Sequence, residues 1–246
     1  MEKLYPGIAA PRKMRLMRAI CTALITTLFI GLTAAALPQE DTFAASASSG
    51  SSGYKVSGGF KYEIKGGKAY IVGYTGREQS VSVPKKIGKK TVVYVELCGF
   101  EGSAIDFSKC TGLKTFYAEQ LYISKLDLRA NRALKTLTLD ESGGMTSLDL
   151  SKNTKLKVCY IYSDSIKSLN ISGNKAMKKL TLFHCPITKL DLKACKSLTD
   201  LTVCNTKLTS LSLEKNRSLK RVTLQENKLK TINIGKNKKL KGLKFS

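Results

Sequence analysis

The chain has 246 residues, 42% apolar and 7% aromatic, which excludes an intrinsically disordered chain and suits one repeat domain with a small cap. Its 42 Lys and Arg stand against 18 Asp and Glu, a formal net charge of +24. That balance says nothing about fold but turns the search for partners towards polyanions.

Residues 1–44 combine Lys3, Arg12, Lys13, Arg15 and Arg18 with an apolar run from Ile20 to Leu37 and then small residues, the pattern of a secretory signal peptide. Cleavage is expected after Ala36 or near Ala44 to Ala47. An uncleaved membrane anchor is the alternative, because the run is only slightly shorter than the roughly 20 residues that span a bilayer. Ile20 before Cys21 is too large for the usual lipoprotein signal. Without these residues 37 Lys and Arg face 15 Asp and Glu, so the net charge is +22. Export makes nucleic acid the least expected polyanion.

Residues 45–59, ASASSGSSGYKVSGG, are read as a flexible tether. From Phe60 to Cys98 short β-like runs alternate with the turn signals Gly66-Gly67 and Pro84-Lys85-Lys86, so this stretch is read as a small β cap.

A repeat occupies residues 99–246. The triplet L-D-L or its equivalent recurs at Ile105-Asp106-Phe107, Leu126-Asp127-Leu128, Leu148-Asp149-Leu150, Leu169-Asn170-Ile171, Leu190-Asp191-Leu192, Leu211-Ser212-Leu213 and Ile232-Asn233-Ile234. The spacings are 21, 22, 21, 21, 21 and 21 residues. Three residues after each triplet stands Cys110, Asn131, Asn153, Asn174, Cys195, Asn216 or Asn237, a column suited to satisfying backbone groups where the chain turns. A second apolar set begins at Leu113, Leu134, Leu156, Met177, Leu198, Leu219 and Leu240, so each coil is read as two short strands. Residues 219–229 read L-x-x-V-x-L-x-x-N-x-L, the leucine-rich repeat signature. The expected fold is mainly β: a leucine-rich repeat solenoid of about seven 21-residue coils behind a small N-terminal β cap.

The segment from Tyr62 to Val95, YEIKGGKAYIVGYTGREQSVSVPKKIGKKTVVYV, resembles the opening segment of BspA-type bacterial leucine-rich repeat proteins, and the repeats resemble internalin-like ones. The likeness departs after Val95, where ELCGFEG replaces the family's alanine-phenylalanine step. The resemblance implies a surface or secreted role in adhesion, with a protein or glycan ligand and no cofactor.

Catalysis is not expected. His184 is the only histidine, and neither G-x-S-x-G nor H-E-x-x-H occurs. Asp106, Asp127, Asp149 and Asp191 share a column that a calcium ion could use, but lysines two residues earlier at Lys125 and Lys189 favour a solvated or paired column, and no metal site is assigned. After loss of Cys21 six cysteines remain. Cys110, Cys185 and Cys195 fall at positions where such repeats use Asn or Cys, which favours packing thiols over a disulfide framework.

Two surfaces are candidate sites. Alternation places Tyr117, Tyr160, Tyr162 and Phe183 outward on the second strands, with His184 beside them, as an exposed aromatic patch for a ligand. Its residues change from coil to coil, so this face is read as the ligand-facing one. Lys155, Lys157, Lys178, Lys179, Lys196, Arg217, Lys220, Arg221, Lys239 and Lys241 stack along one edge, where the expected partner is an anionic wall polymer or glycosaminoglycan, although charged turns also serve solubility. Leu240, Leu243 and Phe245 are read as inward residues of the last coil, so the expectation is either that the chain is a piece of a longer repeat protein or that it associates end to end through this coil.

Overall fold

The computed structural model describes residues 53–246, so the signal segment and most of the tether lie outside it. Every regular element among the described residues is a strand. In chain order these are β1 (Lys55–Ser57), β2 (Phe60–Lys65), β3 (Lys68–Tyr74), β4 (Ser80–Ser82), β5 (Lys86–Ile87), β6 (Lys90–Cys98), β7 (Ala104–Asp106) and β8 (Thr115–Glu119). They continue as β9 (Thr136–Asp140), β10 (Ser147–Asp149), β11 (Val158–Tyr162), β12 (Ser168–Asn170), β13 (Lys179–Phe183), β14 (Asp200–Cys204), β15 (Arg221–Gln225) and β16 (Gly242–Phe245).

One sheet organises the domain. Its order is β1-β2-β3-β6-β8-β9-β11-β13-β14-β15-β16, antiparallel from β1 to β3 and parallel from β3 onward. Alternation within each parallel strand buries one set of side chains: Val95, Phe116, Leu137, Cys159, Leu180, Leu201 and Val222 form one inward row, and Leu97, Ala118, Leu139, Ile161, Leu182, Val203 and Leu224 a second. No coil could bury its row alone; each is covered by the coils on either side. In the last coil, Leu243 and Phe245 continue these rows at 39% and 38% exposure.

Three boundaries differ from the sequence reading. Lys55–Ser57, assigned to the tether, pairs with β2 and begins the sheet. The stretch from Ser80 to Cys98, read as part of the cap, is itself a coil: β4 pairs parallel with β7, and β6 with β8. Coils therefore number eight rather than about seven, and the cap proper is β1 to β3. This first coil hid because the Asn turn is replaced by a hairpin, with Lys86 and Ile87 of β5 opposite Thr91 and Lys90. Lastly, the L-D-L triplets were expected to form strands throughout, yet they pair only as β4–β7 and β10–β12.

The middle residue of the triplet sets the length of these strands, since β7, β10 and β12 end at Asp106, Asp149 and Asn170. The side chains of Asp106, Asp127, Asp149, Asn170, Asp191 and Asn233 each accept the backbone N–H two residues on, at 2.7 to 3.2 Å. These Asx turns bend the chain away before a ladder can lengthen. They also assign the aspartate column a structural duty. The N–H of Ser108 holds Asp106 below the usual carboxylate range, and the Arg129 side chain holds Asp127 down at about 2. Among the described residues no group of three His, Cys, Asp or Glu is placed to hold a metal.

Beneath each turn runs the asparagine ladder. Asn131 Nδ2 donates to the carbonyls of Phe107 and Cys110, Asn153 to Leu128 and Asn131, Asn174 to Leu150 and Asn153, Asn216 to Leu192 and Cys195, and Asn237 to Leu213 and Asn216. Each amide bridges two carbonyls of the preceding coil. The Oδ1 atoms are buried and take no donor from the chain, so the ladder uses only the donor half of asparagine. That is why cysteine fits: Cys195 Sγ donates to Ile171 O at 4.0 Å. All six cysteines after Cys21 are free thiols, and burial pushes Cys110 up to about 12 and Cys195 up to about 11.

Candidate binding surfaces

The outward face of the parallel sheet carries three columns. The middle one runs Glu96, Tyr117, Thr138, Tyr160, Thr181, Thr202 and Thr223, and the next runs Cys98, Glu119, Asp140, Tyr162, Phe183, Cys204 and Gln225. The first of these columns is mostly threonine, whose β-branched side chain suits a pleated surface. The second changes at every coil.

Just past the strand the chain turns through the left-handed region. Gly99 has φ 60°, and Gln120, His184, Asn205 and Glu226 hold φ between 53° and 57°. A left-handed turn of this kind is costly for a side chain-bearing residue, and it fixes where His184 sits. The coil with 22 residues carries its extra residue here. Gln120 N donates to Asp140 O and Ser163 N to Phe183 O, but in the coil between them Ser142 N, not Glu141 N, donates to Tyr162 O. Glu141, with φ 45°, keeps the left-handed turn of Gln120, and Gly143 still bridges Tyr122, so the extra residue is taken up across Glu141 to Gly144.

The predicted aromatic patch is assembled on adjacent rungs, with one correction. Tyr162 pairs in register with Phe183, and Tyr160 lies beside both. The rings of Tyr160 and Phe183 are 6.3 Å apart at 54°, and those of Tyr162 and His184 5.1 Å apart at 41°. Tyr162, Phe183 and His184 are half-buried. Tyr160, expected to be exposed, is only 8% exposed. It is enclosed by the Phe183 ring and by Asp140, whose Oδ1 accepts from the Tyr160 hydroxyl at 3.5 Å, so it forms the floor of the patch. Tyr117 lies two strands before, half-buried, with its hydroxyl donating to Glu119 at 3.3 Å. Tyr122, 62% exposed, escaped the sequence reading. Its signal was present, since it stands between the inward residues Leu121 and Ile123.

An acidic neighbourhood adjoins the aromatics. Burial, and then the carboxylates of Glu119 and Glu141, push Asp140 up to about 6. Burial and Glu96, which accepts from the Tyr94 hydroxyl at 2.7 Å, raise the Tyr94 phenol well above its ordinary value. Because Asp140 is raised in the folded protein, its stabilising contribution is complete below about pH 4 and disappears as pH rises through 6. Asp140→Asn keeps the oxygen that Tyr160 uses. It is expected to raise stability at pH 7 by about 1 kcal/mol, after discounting for partial exposure, and to change nothing near pH 3.5. Urea unfolding of both proteins at the two pH values checks this.

The basic edge divides into separate sets. Lys114, Lys135, Lys157, Lys178, Lys220 and Lys241 form one column, interrupted at Thr199, with each rung joined to the next by a backbone N–H to carbonyl bond of 2.7 to 2.9 Å. Lys196 and Arg217 belong to a second column with Arg132, Lys175 and Lys238, each directly after a ladder Asn or Cys. Lys155 and Lys239 lie between the two columns. Lys179 and Arg221 leave the edge: they are the first residues of β13 and β15, in register with Asp200 of β14 on the sheet face, and Arg221 ion-pairs with Asp200. Lys114, Arg132 and Lys135 were not assigned to the edge from sequence. Stacking in register makes them part of it.

The repeat, the parallel ladder and the amide column together define a leucine-rich repeat fold. No protein-family model matches the chain, and no curated protein sequence matches it. Among solved structures it is similar to the functional domain of InlJ from Listeria monocytogenes, described as including a cysteine ladder, at 20% identity and a TM-score of 0.46, over 66% of this chain and 43% of that one. It is also similar to a leucine-rich repeat protein of T. pallidum, at 14% identity and a TM-score of 0.29, over 78% of this chain and 82% of that one. A leucine-rich cell surface protein of Faecalibacterium prausnitzii A2-165 aligns at 14% identity and a TM-score of 0.30, over 80% and 78%. The chain thus spans less than half the length of the InlJ domain it resembles.

Proposed function

We propose that this is an exported binding protein, secreted or held at the cell surface, that acts as an adhesin by taking a protein or glycan ligand on the outward face of its parallel sheet. The reading rests chiefly on one observation: Tyr162, Phe183 and His184 stand half-buried on adjacent rungs, over Tyr160 and beside the Asp140 carboxyl. Half-buried aromatics offer contact area at low entropic cost, and neighbouring carboxylates add hydrogen-bond acceptors for hydroxyl or amine groups. The signal sequence read in residues 1–44 supports export. Non-catalytic binding agrees with a lone histidine engaged by a tyrosine ring.

A second reading draws on the cationic turns: an envelope component held to anionic wall polymer by charge, with no specific ligand. Salt separates them. Exposed charge pairs are screened beyond about 3 Å at 1 M salt, against about 8 Å at 0.15 M. The mature protein, presented with extracellular matrix proteins and a glycan array at both concentrations, is expected to keep its capture at the higher. Capture lost entirely at 1 M would favour the envelope reading.

A further inference from the structure

We propose that the turn edge of the solenoid is a track for a linear polyanion lying along the solenoid axis, a binding surface separate from the sheet face. The positive charge is concentrated in the turns. Seven equivalent eight-residue turns, 107–114, 128–135, 150–157, 171–178, 192–199, 213–220 and 234–241, contain 19 Lys and Arg and a single acid, Glu214. The rest of residues 53–246 holds 18 Lys and Arg against 14 Asp and Glu. The turns therefore carry +18 of the described chain's +22. Charge serving solubility alone has no reason to leave the remaining surface near balance.

Geometry turns this excess into a track. Backbone bonds from Lys135 N to Lys114 O, Lys178 N to Lys157 O and Lys241 N to Lys220 O fix successive rungs in register, about 4.8 Å apart. From Lys114 to Lys241 the column spans six steps, about 29 Å. Where it is broken at Thr199, Lys196 of the parallel column supplies a cation in the same coil. Near the end, Arg217, Lys236, Lys238 and Lys239 line one open groove that no acidic side chain enters. The ladder amides beneath hold the turns in place, so binding need not order the backbone.

The residue type narrows the partner. Sixteen of the 19 cations are lysines, point charges on flexible stems, and of the three arginines Arg129 is already paired with Asp127 at 2.6 Å. Such an array does not read the planar fork of a single carboxylate; it matches many like charges in a row. The ligand is a flexible linear polymer with a repeating phosphate or sulfate group.

Fluorescence anisotropy with inorganic polyphosphate of graded length tests this on the full mature chain. Affinity is expected to climb with length until the polymer spans about 29 Å, and to level off beyond it. The variant K157E/K178E/K220E should bind the longest polymer at least tenfold more weakly, with a salt slope lower by about two to three. The control K55E/K61E/K68E makes the same charge change on exposed residues of the cap strands, away from the turns, and should stay within about twofold of the parent. Equal losses in the two variants would show that net charge alone attracts the polymer, and affinity independent of length would also overturn the track. Thermal melts confirm that both variants are folded. Heparin fragments of matched charge, run in parallel, separate a phosphate polymer from a sulfated glycan, and the same length and variant dependence is required of whichever binds tighter. Failure here leaves the sheet-face reading untouched.

Discussion

Replacing Asn174 by aspartate is expected to damage the fold more than replacing it by alanine, and replacement by cysteine to damage it least. Asn174 Nδ2 donates to Leu150 O at 3.0 Å and Asn153 O at 2.8 Å, both buried between coils, while its Oδ1 takes nothing from the chain. Alanine leaves two carbonyls without a donor, at about 1–3 kcal/mol each, so a loss of about 3 kcal/mol is expected. Aspartate adds an acceptor facing two acceptors, and either remains charged in a buried site or takes up a proton to stay neutral. Cysteine keeps one donor, as Cys195 does. Because a solenoid's stability is close to a sum of nearest-neighbour terms, the damage should separate the melting of the coils before and after residue 174. Urea unfolding of the three variants gives the order, and alanine equal to cysteine would contradict the donor-only account.

The second large effect is expected at Phe116. It is fully buried in the inward row between Val95 and Leu137, and its ring lies 4.7 Å from that of Phe107 at 54°. Phe116→Ala removes the ring and leaves a cavity between coils that the stacked backbone cannot collapse, a loss of about 3–5 kcal/mol. Leu243→Ala, in the same inward row but 39% exposed, should cost about 1 kcal/mol or less. Similar losses at both positions in thermal unfolding would show that burial does not set the energetics of this row.

These energies come from features the sequence displayed unequally. The ladder was legible because Asn or Cys recurs at a fixed offset from every L-D-L triplet, and only a structural demand on that position produces such regularity. The first coil was not, because Lys86 and Ile87 form a hairpin where the other coils have the Asn turn, and the period breaks. The 22-residue spacing announced an insertion but could not place it across Glu141 to Gly144, since only backbone bonding shows where the register shifts. Tyr160 marks the limit of alternation as a guide. A period of two says which face a side chain leaves from, not how tall its neighbours are, and Phe183 and Asp140 cover it. Stacking likewise sorted the basic edge: Arg221 is as basic as Lys220, yet one residue's difference in register moves it onto the sheet beside Asp200.

The claim that the sheet face is the ligand surface is tested most directly by Tyr162→Ala with Phe183→Ala. Both side chains are half-buried and outward, so the double variant should melt within a few degrees of the parent. Capture of the protein or glycan ligand found at about 1 M salt, where exposed charge pairing is screened, should fall at least tenfold, since aromatic anchors each contribute about 1–2 kcal/mol or more to such contacts. A folded double variant that captures this ligand as well as the parent does would contradict the account.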